Sequence, residues 1–147
     1  MIKIKRNPNT RRSINAPPLI PETNKEFLKC VKQAIDHLTE IYGKPFKGRH
    51  RIVFIDHKND EVLKVPSQYE SGIAANFQEL DIQGKHLAKT KLDEQLSVRF
   101  GIPIIRMELV QEAGGRKNQP SWVNYIDCQQ VGYTKDGRLV AYDWDTF

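Results

Sequence analysis

Lys64 stands inside the apolar run EVLKV, residues 61–65, and a glutamate, Glu79, follows on the next segment with helical spacing. A lysine in such a run is costly to bury alone, so it needs an anionic partner, a route to water or a bound anion. Near the other end, DWD sets Asp143 and Asp145 on the same face of an extended segment. Two carboxylates so placed suit a divalent cation, and they equally suit a Lys or Arg on a neighbouring strand. Cys30 and Cys128 are isolated and the four histidines form no pair at ligand spacing, so neither a disulfide framework nor a zinc site is expected.

The elements that must position these residues can be read from pattern. In TNKEFLKCVKQAIDHLTEIYG, Thr23 is the expected N-cap, Glu26 closes a capping box and Gly43 ends the helix. Phe27, Leu28, Val31, Ala34, Ile35, Leu38, Ile41 and Tyr42 form its apolar stripe. RIVFID, HKND and EVLKV read as strand, turn and strand, with Val62 and Lys64 on one face and Leu63 and Val65 on the other. After Pro66, Ser71 is the expected cap of a second helix, on which Ala74, Phe77 and Leu80 form the buried stripe and Glu79 is exposed beside it. KLDEQLSVRFG is a short helix ending at Gly101. IPIIRMELVQE and SWVNYIDC are strands, and QQVGYT with RLVAYDWDTF makes a hairpin bent at Asp136–Gly137. The fold expected is α+β, an antiparallel sheet with a long N-terminal helix and a second helix against the hairpin.

A length of 147 residues is about one domain. The net charge of +5 lies wholly in residues 1–20, where Lys3, Lys5, Arg6, Arg11 and Arg12 occur without an acid; the rest of the chain has 18 basic and 18 acidic residues. With Pro8, Pro17, Pro18 and Pro21 following, residues 1–22 read as a flexible basic arm and 23–147 as the domain. The arm is a solvated tail or a contact for nucleic-acid phosphates or an acidic protein; no aromatic residue is interleaved to stack on bases. No segment has the length and apolarity of a membrane span or the pattern of a secretion signal, so a cytoplasmic protein with no membrane association is expected.

In order, EVLKV, the helix bearing Glu79, ELVQE and DGRLVAYDWD resemble the upper lobe of the protein-kinase-like fold and its metal-aspartate hairpin, in the form seen in small kinase-like proteins of bacteria and phages. The resemblance covers residues 48–147. It implies that Lys64 grips nucleotide phosphates, Val62 lies over adenine, Glu79 is the helix partner of the lysine, and Asp143 binds Mg2+ beside ATP, with Asp145 and Gln130 near the metal. YGKPFKGRHR has too few glycines for the family's phosphate loop. Gln130 stands where the family has asparagine and Tyr125 where it has the catalytic aspartate, with Asp127 near but out of register. By the same resemblance neither an activation segment nor a substrate lobe is expected after the hairpin. The resemblance so modified implies a non-catalytic kinase-like module, of phage or mobile-element type, that binds a partner protein such as a host factor. The alternatives are a phosphotransferase using Asp127 or Asp145 as base and a nucleic-acid-binding protein using the arm.

Overall fold

The computed structural model describes residues 5–6, 20–112 and 131–141. The fold is mixed α+β, with three helices and a central antiparallel sheet among the described residues. Helix α1 spans Asn24–Tyr42. Thr23 Oγ1 accepts from Glu26 N at 3.1 Å, and Gly43, at φ 84°, donates its N–H to Thr39 O, so the expected caps form at both ends. The helix buries Phe27, Val31, Ala34 and Leu38, while Leu28 and Ile41, expected on the same stripe, lie outside it at 52% and 55% exposure.

Two short β-strands come next, β2 (Phe46–Lys47) and β3 (Arg51–Asp56), β1 being Lys5–Arg6. Strand β4 (Glu61–Pro66) pairs with β3 along its whole length, with Val53 opposite Lys64. The HKND turn closes this hairpin: Asp56 Oδ1 and Oδ2 accept from the backbone and side-chain amides of Asn59, and Asp60 takes a positive φ of 52°. Helix α2 (Tyr69–Asp81) leads to β5 (Ile82–Gln83), then β6 (Thr90–Leu92), helix α3 (Glu94–Phe100), β7 (Ile105–Glu108), β8 (Val110–Glu112), β9 (Val131–Thr134) and β10 (Leu139–Ala141). The central sheet has the order β2-β3-β4-β7-β6 and a second sheet the order β10-β9-β8.

Alternation along β3 and β4 sends Phe54, Leu63 and Val65 into one core with Phe27, Val31, Ala34 and Leu38 of α1 and with Phe100, Ile102 and Ile104. Fully burying each large apolar side chain contributes about 1.5–3 kcal/mol, which makes this face the main source of cohesion. The opposite face carries Val62, which packs with Ala88, Met107 and Val140.

Three of the differences from expectation bear on how the sheets and α2 are held. Helix α2 starts at Tyr69 rather than at a Ser71 cap; its N-cap, Gln68, makes no side-chain capping bond. The start is set by tertiary contact instead, since the Tyr69 ring packs on Phe27 and its hydroxyl donates to Pro21 O. The single expected strand IPIIRMELVQE is broken at Leu109, whose N–H donates to Asp60 O at 2.9 Å, so β7 and β8 belong to different sheets. Finally, Lys5 and Arg6 pair antiparallel with Gln83 and Ile82, which docks that part of the arm at the end of α2. The sheets are also joined where Ala88 N donates to Ala141 O and Ala141 N donates to His86 O, at 2.9 and 2.7 Å.

Candidate functional site

Lys64 and Glu79 meet. Position 64 projects from β4 on the face away from α1, and Glu79, three turns into α2, turns toward it, as expected of a helix docked on the hairpin. Lys64 Nζ donates to Glu79 Oε1 at 2.8 Å, and the residues are 5% and 0% exposed. Glu79, read as exposed beside the stripe, is fully buried; of the stripe itself Leu80 is buried and Phe77 packs half-buried on the core, whereas Ala74 is exposed, and Gly72, Ile73, Ala75 and Asn76 are buried as well. A helix face with Asn and Glu at i and i+3 is buried because polar partners wait for both.

The second partner is Arg51. It opens β3 on the same sheet face as Lys64, is 5% exposed, and pairs with Glu79 Oε2. Its Nη1 also approaches Asn76 Oδ1 at 3.4 Å. The Asn76 amide nitrogen donates to Lys64 O at 3.0 Å and to Pro103 O at 2.7 Å, which ties α2 to β4 and to the segment entering β7. One carboxylate thus gathers two cations in a dry setting, where ionic contacts are stronger than in water and unpaired charge is severely penalised. The arrangement holds the Lys64 ammonium at a fixed point, which is the chemical prerequisite for presenting it to an anion. Sequence reading missed Arg51 and Asn76. The signal was available in the polar pair Asn76 and Glu79 on a helix face that also carries Ile73 and Leu80.

Val62 is half-buried on the Lys64 face, two residues away, against Met107 and Val140. Among the other expected site residues, Lys5 and Arg6 form β1. Lys3, Arg11, Arg12, Asp127, Gln130, Asp143 and Asp145 lie outside the described residues, as do Tyr125 and Cys128. Among the described residues no group of three or more His, Cys, Asp or Glu is arranged to hold a metal ion. The YGKPFKGRHR segment forms a tight turn between β2 and β3, with Gly48 N donating to Arg51 O at 2.8 Å.

A second charged cluster lies on the α1 face of the sheet. Arg106 donates to Asp93 Oδ2 at 2.6 Å, Asp56 Oδ2 at 2.9 Å, Glu61 Oε1 at 3.3 Å and Tyr42 Oη at 3.2 Å. Burial pulls the Arg106 pKa down, but the bonds to Asp93, Asp56 and Tyr42 outweigh it and hold the guanidinium above its ordinary range. Asp93 is also the N-cap of α3, accepting from Leu96 N at 3.0 Å. With every group engaged internally, this cluster is a structural clamp. No family model, curated protein or solved structure matches the chain.

Proposed function

We propose that the chain is a kinase-like module that acts by binding a partner protein, with ATP and Mg2+ as ligands it retains rather than consumes. The observation that carries the reading is the buried pair between Lys64 on a central strand and Glu79 on the helix docked against it. In protein kinases a strand lysine and a helix glutamate form such a pair to orient nucleotide phosphates. Val62 on the same face supports a place for the base, and Asp143 follows β10 by two residues in the chain, in the order the resemblance requires. The sharing of Glu79 with Arg51, and the lack of an aspartate and asparagine at the family's spacing, favour binding over transfer. A phage or mobile-element protein that engages a host factor would have this form.

A reduced phosphotransferase is the second reading, favoured by the intact Lys64–Glu79 pair, with Asp127 or Asp145 as base. Incubation with labelled ATP and Mg2+ separates the two. The expected result is a nucleotide-dependent gain in stability, about 2.7 kcal/mol at a hundredfold excess over Kd and visible as a raised melting temperature, without label transfer to the chain or to generic protein substrates. Transfer that vanishes in both Lys64→Ala and Asp143→Ala would establish the second reading. Absence of any nucleotide-induced stabilisation would remove ATP and Mg2+ from the first.

A further inference from the structure

The rim of the central sheet carries a surface that the kinase-like reading does not use. Strand β2 is one of the two edge strands of the sheet and among the described residues pairs only with β3, through Phe46 opposite Val53 and Lys47 opposite Ile52. Phe46 is 64% exposed, the most exposed large hydrophobic side chain among the described residues. Around it the chain reads KPFKGRHR, without an acid from residue 44 to 51. Lys44, Lys47 and Arg49 are all exposed, and none forms an ion pair among the described residues. Other surface cations are paired, Lys135 with Asp60 at 2.6 Å, Arg138 with Glu108 at 2.6 Å and Lys32 with Asp36 at 3.3 Å, and those that are not paired among the described residues, such as Lys25, Lys58 and Lys85, are not gathered around an exposed ring on a sheet edge.

We propose that this rim binds single-stranded nucleic acid, with Phe46 stacking on a base and Lys44, Lys47 and Arg49 contacting the flanking phosphates. An acidic protein face would satisfy the cations but gives an exposed phenyl ring no particular role. A polyanion whose every unit also offers a π-face satisfies both, and that combination defines single-stranded nucleic acid. Alternate residues of a strand point to opposite sheet faces, yet at an edge strand both faces meet at the rim, so a ligand lying along it reaches Phe46 and Lys47 together. Arg49 lies in the turn that follows Lys47, a turn closed by Gly48 N donating to Arg51 O at 2.8 Å and anchored at His50, whose Nδ1 lies 2.9 Å from Ser71 Oγ and whose carbonyl accepts from Ser67 N at 2.8 Å. The site is distinct from the basic arm, which has no aromatic residue to stack.

Fluorescence anisotropy of labelled oligothymidine with the full chain tests it. Phe46→Ala should weaken binding about tenfold, in keeping with the loss of one base–aromatic stack, and Phe46→Trp should restore it. Replacing Lys44, Lys47 and Arg49 by Ala should flatten the slope of log K against log salt by about 2, since each cation displaced from a single strand contributes about 0.7. A chain whose arm cations Lys3, Lys5, Arg6, Arg11 and Arg12 are replaced by Gln should keep the Phe46 dependence. Unfolding curves matching the native chain confirm that each exposed substitution leaves the fold intact. Equal affinity of native and Phe46→Ala chains would overturn the proposal. So would affinity for polyglutamate equal to that for the oligonucleotide, or binding lost entirely with the arm cations.

Discussion

Lys64 Nζ donates to Glu79 Oε1 across 2.8 Å, and the other oxygen of the same carboxylate faces Arg51. Removing the anion strands two cations in a buried site, whereas removing Lys64 leaves Arg51 and Glu79 as a matched pair. Glu79→Ala should therefore cost about 3–5 kcal/mol in urea unfolding, and Lys64→Met distinctly less. An equal loss for both would show that Arg51 does not share the carboxylate.

Asn76 is fully buried and its amide nitrogen serves two backbone carbonyls, Lys64 O and Pro103 O. Asn76→Leu keeps volume but removes the donor that ties α2 to both carbonyls. The expected loss is about 1–3 kcal/mol, at roughly 0.5–1.5 kcal/mol for each hydrogen bond removed. Differential scanning calorimetry would reveal it, and an unchanged melting temperature would mean that water replaces the amide.

Gly72 lies inside α2, where exchanging Gly for Ala ordinarily stabilises by about 1 kcal/mol. Here a Cβ would come within 2.6 Å of His50 O and 3.0 Å of Pro66 Cβ. His50 O is held by Ser67 N, so it has little freedom to withdraw. Gly72→Ala should destabilise by about 1–3 kcal/mol, a reversal of sign visible in the urea midpoint.

Asp56 governs part of the acid response. Burial raises its pKa, but bonds from Asn59 and Arg106 outweigh this and hold it below the ordinary 3.8. The group binds a proton more readily in the unfolded chain, so its stabilisation is complete above that ordinary value and is lost as pH falls through the lower folded value. Asp56→Asn should be less stable than the native chain at neutral pH, with the gap closing below about pH 4. A gap that stays constant in unfolding curves taken down to acid pH would contradict this.

Local rules carried much of the fold. Helix α1 was legible because Thr23 and Gly43 write its ends, α3 because Gly101 takes the left-handed conformation that stops it, and the β3–β4 hairpin because its alternation and turn residues agree. The pairing of Lys64 with Glu79 was legible because an isolated buried lysine is untenable. The start of α2 was not, since it depends on Tyr69 meeting Phe27 across the chain, and neither was the burial of Glu79, which depends on Arg51 arriving from another strand. The helix expected over KLDEQLSVRFG begins only at Glu94, because Asp93 is its cap, and Lys91 and Leu92 belong instead to β6, a strand fixed by pairing with β7 and not by any local pattern.

The Arg106 clamp has a consequence for time rather than for structure. Its partners Asp93, Glu61, Asp56 and Tyr42 lie 13, 45, 50 and 64 residues away along the chain. Contacts so remote carry a loop-closure cost before they contribute, and we expect the clamp to engage late, on the native side of the folding barrier. In stopped-flow kinetics, Arg106→Met should leave the refolding arm nearly unmoved and raise the unfolding arm. The clamp thus acts as a latch on the native state's lifetime: it decides how long a folded molecule persists before it next opens, while the rate of reaching that state is set elsewhere.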